Sequence, residues 1–209
     1  MLLFSRVVTF TGSPRRWMSW ANEVTGYANE HSDLGVALWS ADFGYPLGTV
    51  AWSCATESQV ALAAETAKLL ADDGYFDLLE QAEDLITEPG EDLLRELVHG
   101  ERNEPPPVGS VATITTATAV ADRTIDAVGW AVDVAQHVTN VTGNPVSVWT
   151  NVYGQFGQIT WIGVVPDLAG LEASRVAINS DADYLAKLAG TKDVFLPGSG
   201  HFAQVSRIV

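Results

Sequence analysis

Three residues at alternate positions, Trp149, Asn151 and Tyr153, put an indole N–H, a carboxamide and a phenol into one short segment. Side chains at i, i+2 and i+4 of a strand share a face. The segment therefore predicts one polar–aromatic patch. Those groups can donate hydrogen bonds to a ligand. Trp130 and Trp161 are the neighbouring aromatic landmarks. The candidate ligand-binding set is thus Trp149, Asn151, Tyr153, Trp161 and Trp130. No set of catalytic residues can be named from sequence.

Other groups capable of chemistry read as structural. The histidines are His31, His99, His137 and His201. His137 follows Asp133 by four residues, which predicts a solvated pair on a helix face rather than a catalytic one. No His-x-His or His-x3-His spacing occurs, so no metal site is expected. Cys54 is the single cysteine. It excludes an internal disulfide and a cysteine-based zinc site, and with no basic neighbour in sequence it reads as a buried thiol. Gly44-Tyr-Pro-Leu-Gly48 and Pro197-Gly-Ser-Gly200 read as turns, with no phosphate-binding motif. Ser199 and His201 lack the context of a nucleophile elbow. No cofactor is expected.

The elements that must position these residues are visible in an internal repeat. Trp39 and Gly44 match Trp149 and Gly154 at an offset of 110. Trp20 matches Trp130 at the same offset, and Trp52 matches Trp161 at 109. Asp72-Asp-Gly-Tyr75 resembles Asp181-Ala-Asp-Tyr184, and Pro89-Gly90 matches Pro197-Gly198 at 108. The landmarks keep their order, and tryptophan is rare, so three aligned pairs argue for duplication. The predicted boundaries are 1–103 for the first repeat, 104–109 for a proline-rich linker within Asn103-Glu-Pro-Pro-Pro-Val-Gly109, and 110–209 for the second.

Each repeat reads as strand, helix, hairpin, helix, strand. In the first, Phe4 to Phe10 is a strand, and Ser13-Pro14 starts a helix bearing Trp17, Trp20, Val24 and Ala28. Hairpin strands follow at Val36–Ser40 and Thr49–Ser53. Ser58 then caps a helix whose expected buried stripe is Val60, Ala63, Ala64, Ala67 and Leu70, and a last strand runs near Leu93–Val98. In the second, the strand Val111–Thr116 precedes a helix from about Ala121 to Val141. Strands Val146–Val152 and Gln158–Val164, a helix from about Leu168, and a strand His201–Ile208 complete it. The order β-α-β-β-α-β is the ferredoxin-like unit. Its sheet carries helices on one face only, so the other needs cover. The predicted class is α+β: two tandem ferredoxin-like βαββαβ repeats packed sheet to sheet as an intrachain α+β barrel.

With its hairpin motif Trp-x4-Gly-x(2,3)-Gly-x(3,4)-Trp, the chain resembles the dimeric α+β-barrel superfamily over nearly its whole length. It is most similar to the tandem-repeat, NIPSNAP-like and antibiotic-biosynthesis-monooxygenase-like branches. The resemblance implies a ligand cavity between the sheet and the helices of one unit. It also implies cofactor-independent oxygenase-type chemistry on an aromatic or polyketide-like substrate, with Trp149 and Asn151 as donors. The haem-degrading branch pairs an Asn on its first strand with a His on its second helix. Neither occurs here, so haem degradation is not expected. Trp39, Ala41 and Phe43 match Trp149, Asn151 and Tyr153, so the polar divergence favours the second repeat as the site-bearing one. The alternative function is a non-catalytic scaffold or protein-interaction module of NIPSNAP-like type, with a filled core.

Charge bounds the partners. The 209 residues hold 26 acids against 11 Lys and Arg, a formal charge of −15. That argues against nucleic acid and anionic membrane as partners. The expected ligand is an apolar or aromatic small molecule, and a homodimer is expected because sheet edges invite pairing. Met1-Leu-Leu-Phe-Ser-Arg6 lacks the pattern of a signal peptide, so a cytoplasmic location is expected. The acidity is local: residues 72–104 hold 12 acids against Arg95 and Arg102, which reads as a solvated face.

Overall fold

A computed structural model describes residues 1–86, 89–101, 105–191 and 193–209. Arg102, Asn103 and Glu104, at the expected repeat boundary, and Glu88 of the acidic segment lie outside the described residues. The chain runs β1 (Leu2–Thr9), α1 (Pro14–His31), β2 (Ala37–Phe43), β3 (Thr49–Thr56), α2 (Gln59–Leu70), α3 (Asp73–Glu80) and β4 (Glu91–His99). It continues β5 (Val111–Thr118), α4 (Thr124–Thr142), β6 (Val146–Tyr153), β7 (Gln158–Val165), α5 (Leu168–Asn179), α6 (Ala182–Ala189) and β8 (His201–Arg207). A 3₁₀ turn at Ala121–Arg123 takes the start expected of α4.

The helices account for most departures from expectation. Each half has one more helix than the sequence pattern suggested, because an aspartate restarts the chain after α2 and α5. Asp72 accepts from the Gly74 N–H at 2.9 Å and Asp181 from the Tyr184 N–H at 2.6 Å. A side-chain oxygen on an orphan N–H is the usual start signal of a helix. Ser58 caps α2 through the Ala61 N–H, as expected, whereas Ser13 precedes Pro14 without a side-chain cap bond. The expected stripe on α2 is also corrected. Val60 and Leu70 are 80% and 52% exposed, and Leu69 is the residue buried. The helix is apolar nearly all round, so composition could not say which side faces inward.

The eight strands form one closed antiparallel barrel in the order β1-β3-β2-β8-β5-β7-β6-β4. Two seams join strands from different halves: β2 to β8, with Trp39 opposite Arg207, and β4 to β6, with Leu97 opposite Trp149. Closure pairs both edges of every described strand within the chain.

Alternation sorts the core into an inner and two outer compartments. Inside the barrel lie Trp39, Ala112 and Val205, and Leu3 with Trp149 and Ile162. Outside, Leu38 and Val50 pack on α1, and Val148, Ile159 and Trp161 pack on α4. The contact with α4 depends on Ala127, Ala131 and Ala135, fully buried at helical spacing, which let the helix lie close to the sheet. Overpacking such a seam costs about 1–3 kcal/mol. Ala131→Leu should therefore lower the melting temperature, by about 2–4 °C per kcal/mol for a chain of this length. An unchanged melting curve would show that the seam has slack.

Candidate functional site

A cavity of about 370 Å³ lies in the second half. It sits between α4, α5 and the outer face of the barrel. Trp130, Val134, Trp161 and Leu171 supply apolar walls. Thr113, Thr115, Asn144 and Tyr184 supply polar ones, with Arg175 exposed at the rim. The Asn144 amide donates to Ser174 Oγ at 2.8 Å.

A counterpart of about 140 Å³ occupies the same place in the first half. Its walls match position by position, at offsets of 109 or 110. Trp20, Trp52 and Tyr75 stand where Trp130, Trp161 and Tyr184 stand. Trp20 meets Trp52 edge-on with centroids 6.1 Å apart, and Trp130 meets Trp161 edge-on at 6.0 Å. A phenylalanine packs on each pair from opposite partners of an isolated bridge: Phe10 of Phe10–Ile86, and Phe195 of Ala119–Phe195.

The difference in size has an identifiable cause. Phe4, Arg6 and Cys54 line the smaller cavity, and Thr113, Thr115 and Gly163 take their positions in the larger one. Each exchange removes atoms from the wall. A Cβ added at Gly163 would meet Thr113 Oγ1 at 3.1 Å. Leu34 and Thr66 are replaced by Asn144 and Arg175, which adds polarity at the opening. None of these five second-half residues belongs to a recognisable motif. A residue-by-residue comparison at the repeat offset exposes all of them.

The five sequence candidates fall in three places. Trp130 and Trp161 line the large cavity. Their indoles donate to the Lys187 and Ala131 carbonyls at 3.2 and 3.0 Å. Trp149 and Asn151 lie on the inner wall of the barrel instead, because alternation turns them away from the helices. Trp149 is fully buried and donates to Ser147 Oγ at 2.8 Å. The Asn151 amide donates to the Gln155 carbonyl at 3.2 Å and to Gln158 Oε1 at 3.1 Å.

Tyr153 does not share their face, and that expectation is corrected. The β4–β6 register shifts between Arg95, opposite Asn151, and Leu94, opposite Tyr153. A one-residue slip reverses the side-chain direction. Tyr153 is 60% exposed, and its hydroxyl donates to Gln59 Oε1 of α2 at 3.3 Å.

His137 pairs with Asp181, Nε2 to Oδ1 at 2.7 Å, rather than with Asp133, which pairs with Lys187. Ser199 Oγ donates to the Leu196 carbonyl at 2.7 Å within its turn, while His201 Nε2 meets the Gly44 carbonyl at 2.7 Å. Cys54 is buried, and burial pushes its thiol up to about 11. Among the described residues, no group of three or more His, Cys, Asp or Glu side chains could hold a metal ion. No described helix is long and apolar enough to cross a membrane.

No family model matches the sequence, and no curated protein does. Solved structures do match. A candidate monooxygenase of Fusobacterium nucleatum superposes with a TM-score of 0.72 at 12% identity, over 100% of this chain and 92% of that one. An anthrone oxidase-like protein gives 0.69 at 12% identity, over 100% and 91%. A NIPSNAP family protein of Agrobacterium tumefaciens matches 45% of this chain and 85% of its own, at 19% identity and a TM-score of 0.40.

The shared fold is an eight-stranded antiparallel α+β barrel.

Within this barrel, Asp181 links the cavity to the helix that roofs it. Its carboxylate caps α6 beside Tyr184, a wall residue, and accepts from His137 of α4. These bonds, His137 first and the Tyr184 N–H second, hold the carboxyl below its ordinary value of 3.8, with burial opposing them. A depressed carboxyl stabilises the fold above its unfolded value, and the contribution is lost as pH falls through the lower folded value. Asp181→Asn keeps a capping oxygen but not the charge. It should melt below the wild type at pH 7, and the gap should close as pH falls from about 5 toward 2. A gap independent of pH would show that the charge contributes nothing.

Proposed function

We propose that the second half binds an apolar, aromatic small molecule in the cavity beneath α4 and α5, and that the chain is a duplicated ferredoxin-like unit. On this reading units 1–103 and 110–209 diverged, the first filling its cavity and the second opening it. The exchange of Phe4, Arg6 and Cys54 for Thr113, Thr115 and Gly163 carries the proposal. A volume of about 370 Å³ lies within the range of small-molecule sites. A scaffold with a filled core would have no use for such a space.

The chemistry we favour is cofactor-independent oxygenation. The described walls hold no carboxylate and no imidazole, so the substrate must ionise readily by itself, as an electron-rich phenol or enol does. Arg175 and the Asn144 amide would then hold the oxyanion, and the tryptophan walls would keep water out. The shared fold with an anthrone oxidase-like protein supports this class of chemistry without identifying the substrate.

The test uses 2-naphthoate and the neutral 2-naphthylmethanol as probes, with quenching of tryptophan fluorescence as readout. Gly163→Cys and Thr113→Phe, which restore the first-half wall, should each weaken both probes by about tenfold or more. Gly163→Cys should leave the melting temperature unchanged or higher, since glycine weakens a strand. Arg175→Gln should weaken 2-naphthoate alone, by up to about fivefold, the worth of an exposed ion pair. Unchanged affinity in both wall variants would remove the cavity from consideration. Oxygen uptake with an anthrone, lost in Gly163→Cys, tests the oxygenation; binding without uptake would leave a binding protein.

A further inference from the structure

The inner wall of the barrel carries a positive charge that nothing in the proposed function uses. The pattern Leu93-x-Arg95-x-Leu97 on β4 places Arg95 on the apolar face of the strand. Its residue is 6% exposed, and it lines a lumen cavity of about 50 Å³ with Ser5, Trp39, Tyr45 and Ser53. Nη1 has a long 3.5 Å contact with Ser5 Oγ, and Nε is buried with no partner. Among the described residues no carboxylate lies within 4.0 Å of the guanidinium, although the sequence holds 26 acids. Burial pushes Arg95 below the usual arginine range, opposed by Tyr45 and Glu91.

Two more orphaned polar atoms lie on the neighbouring strands. Asn151 stands opposite Arg95 in the β4–β6 ladder, and its Oδ1 is buried without a partner. Thr160, opposite Trp149 on β7, has its Oγ1 in the same state. These two and Arg95 Nε are the only buried, unpartnered side-chain atoms among the described residues. All three belong to consecutive strands of one wall.

An uncompensated buried cation is among the costliest features a fold can carry, and a guanidinium presents a fork of donors suited to an anion. We propose that the barrel lumen is a binding site for a small monovalent anion, with Arg95 as its principal ligand and Ser5 beside it. The volume admits a halide, nitrate or formate and excludes a larger acid. The site is separate from the outer cavity, with the sheet between them, and does not depend on the function proposed there.

The test is thermal melting of the full chain at constant ionic strength, with nitrate or formate replacing gluconate, which is too large to enter. Holding ionic strength fixed removes the general effect of salt on so acidic a protein. The melting temperature should rise saturably, by about 3–5 °C at ~0.1 M probe. Arg95→Met should abolish the response, while Arg16→Gln, which removes an exposed charge paired with Asp84, should preserve it. Should Arg95→Met fail to fold, Ser5→Ala serves instead and should move the midpoint to several-fold higher probe concentration. A wild-type melting temperature that ignores probe identity would overturn the proposal and leave water in the lumen. So would a response that survives in Arg95→Met, or in Ser5→Ala with an unmoved midpoint.

Discussion

Everything in this molecule depends on the two seams at which one half's edge strand hydrogen-bonds the other's. A four-stranded sheet with helices on one face leaves its second face and both edges unsatisfied. Pairing β2 with β8 and β4 with β6 satisfies all of these at once. The second faces become a common interior, and the edges disappear. The helices are then free to vary, because they cover only the outside. That freedom lets one outer cavity be nearly filled while its counterpart stays open, with no change to the barrel.

The interior has no such freedom. It is lined from both halves, and a substitution there is felt by both. Most of it is apolar and tightly packed around Trp39 and Trp149. A buried arginine in that setting is hard to explain as packing, since an apolar residue of similar size would avoid the desolvation cost. The two candidate regions thus differ in kind. The outer cavity is roomy and mostly apolar, with a cation at its rim; the lumen is small and encloses its cation fully.

The sequence pattern reached the architecture because its signals were redundant. Three tryptophan pairs, a glycine and a Pro-Gly at near-constant offset all pointed to the same element order. Two of the residues it singled out, Trp130 and Trp161, line the second-half cavity, and the other three face elsewhere. Asn151 and Tyr153 differ from Ala41 and Phe43, yet alternation directs Asn151 into the lumen, and the register shift opposite Leu94 and Arg95 turns Tyr153 outward. A slip of this kind depends on partner strands, which no single segment encodes. The short helices α3 and α6 were legible in principle, since Asp72 and Asp181 are good caps. They were hidden because the acidic run around the first reads equally well as solvated loop. By composition Arg95 reads as one base among many acids, whereas its alternation with Leu93 and Leu97 places it on the inner face.

The seams have a further consequence for how copies of the chain can meet. The hydrogen bonds that close one barrel join strands 168 residues apart, Trp39 to Arg207. If both seams open, each half presents two complete strand edges, and those edges fit the opposite half of any copy, not only its own. Two chains exchanging halves would rebuild two identical barrels, with every strand pairing preserved and no new interface required. Single barrels and exchanged pairs would then be nearly equal in enthalpy. Protein concentration, and the entropy of the connection between β4 and β5, would decide between them.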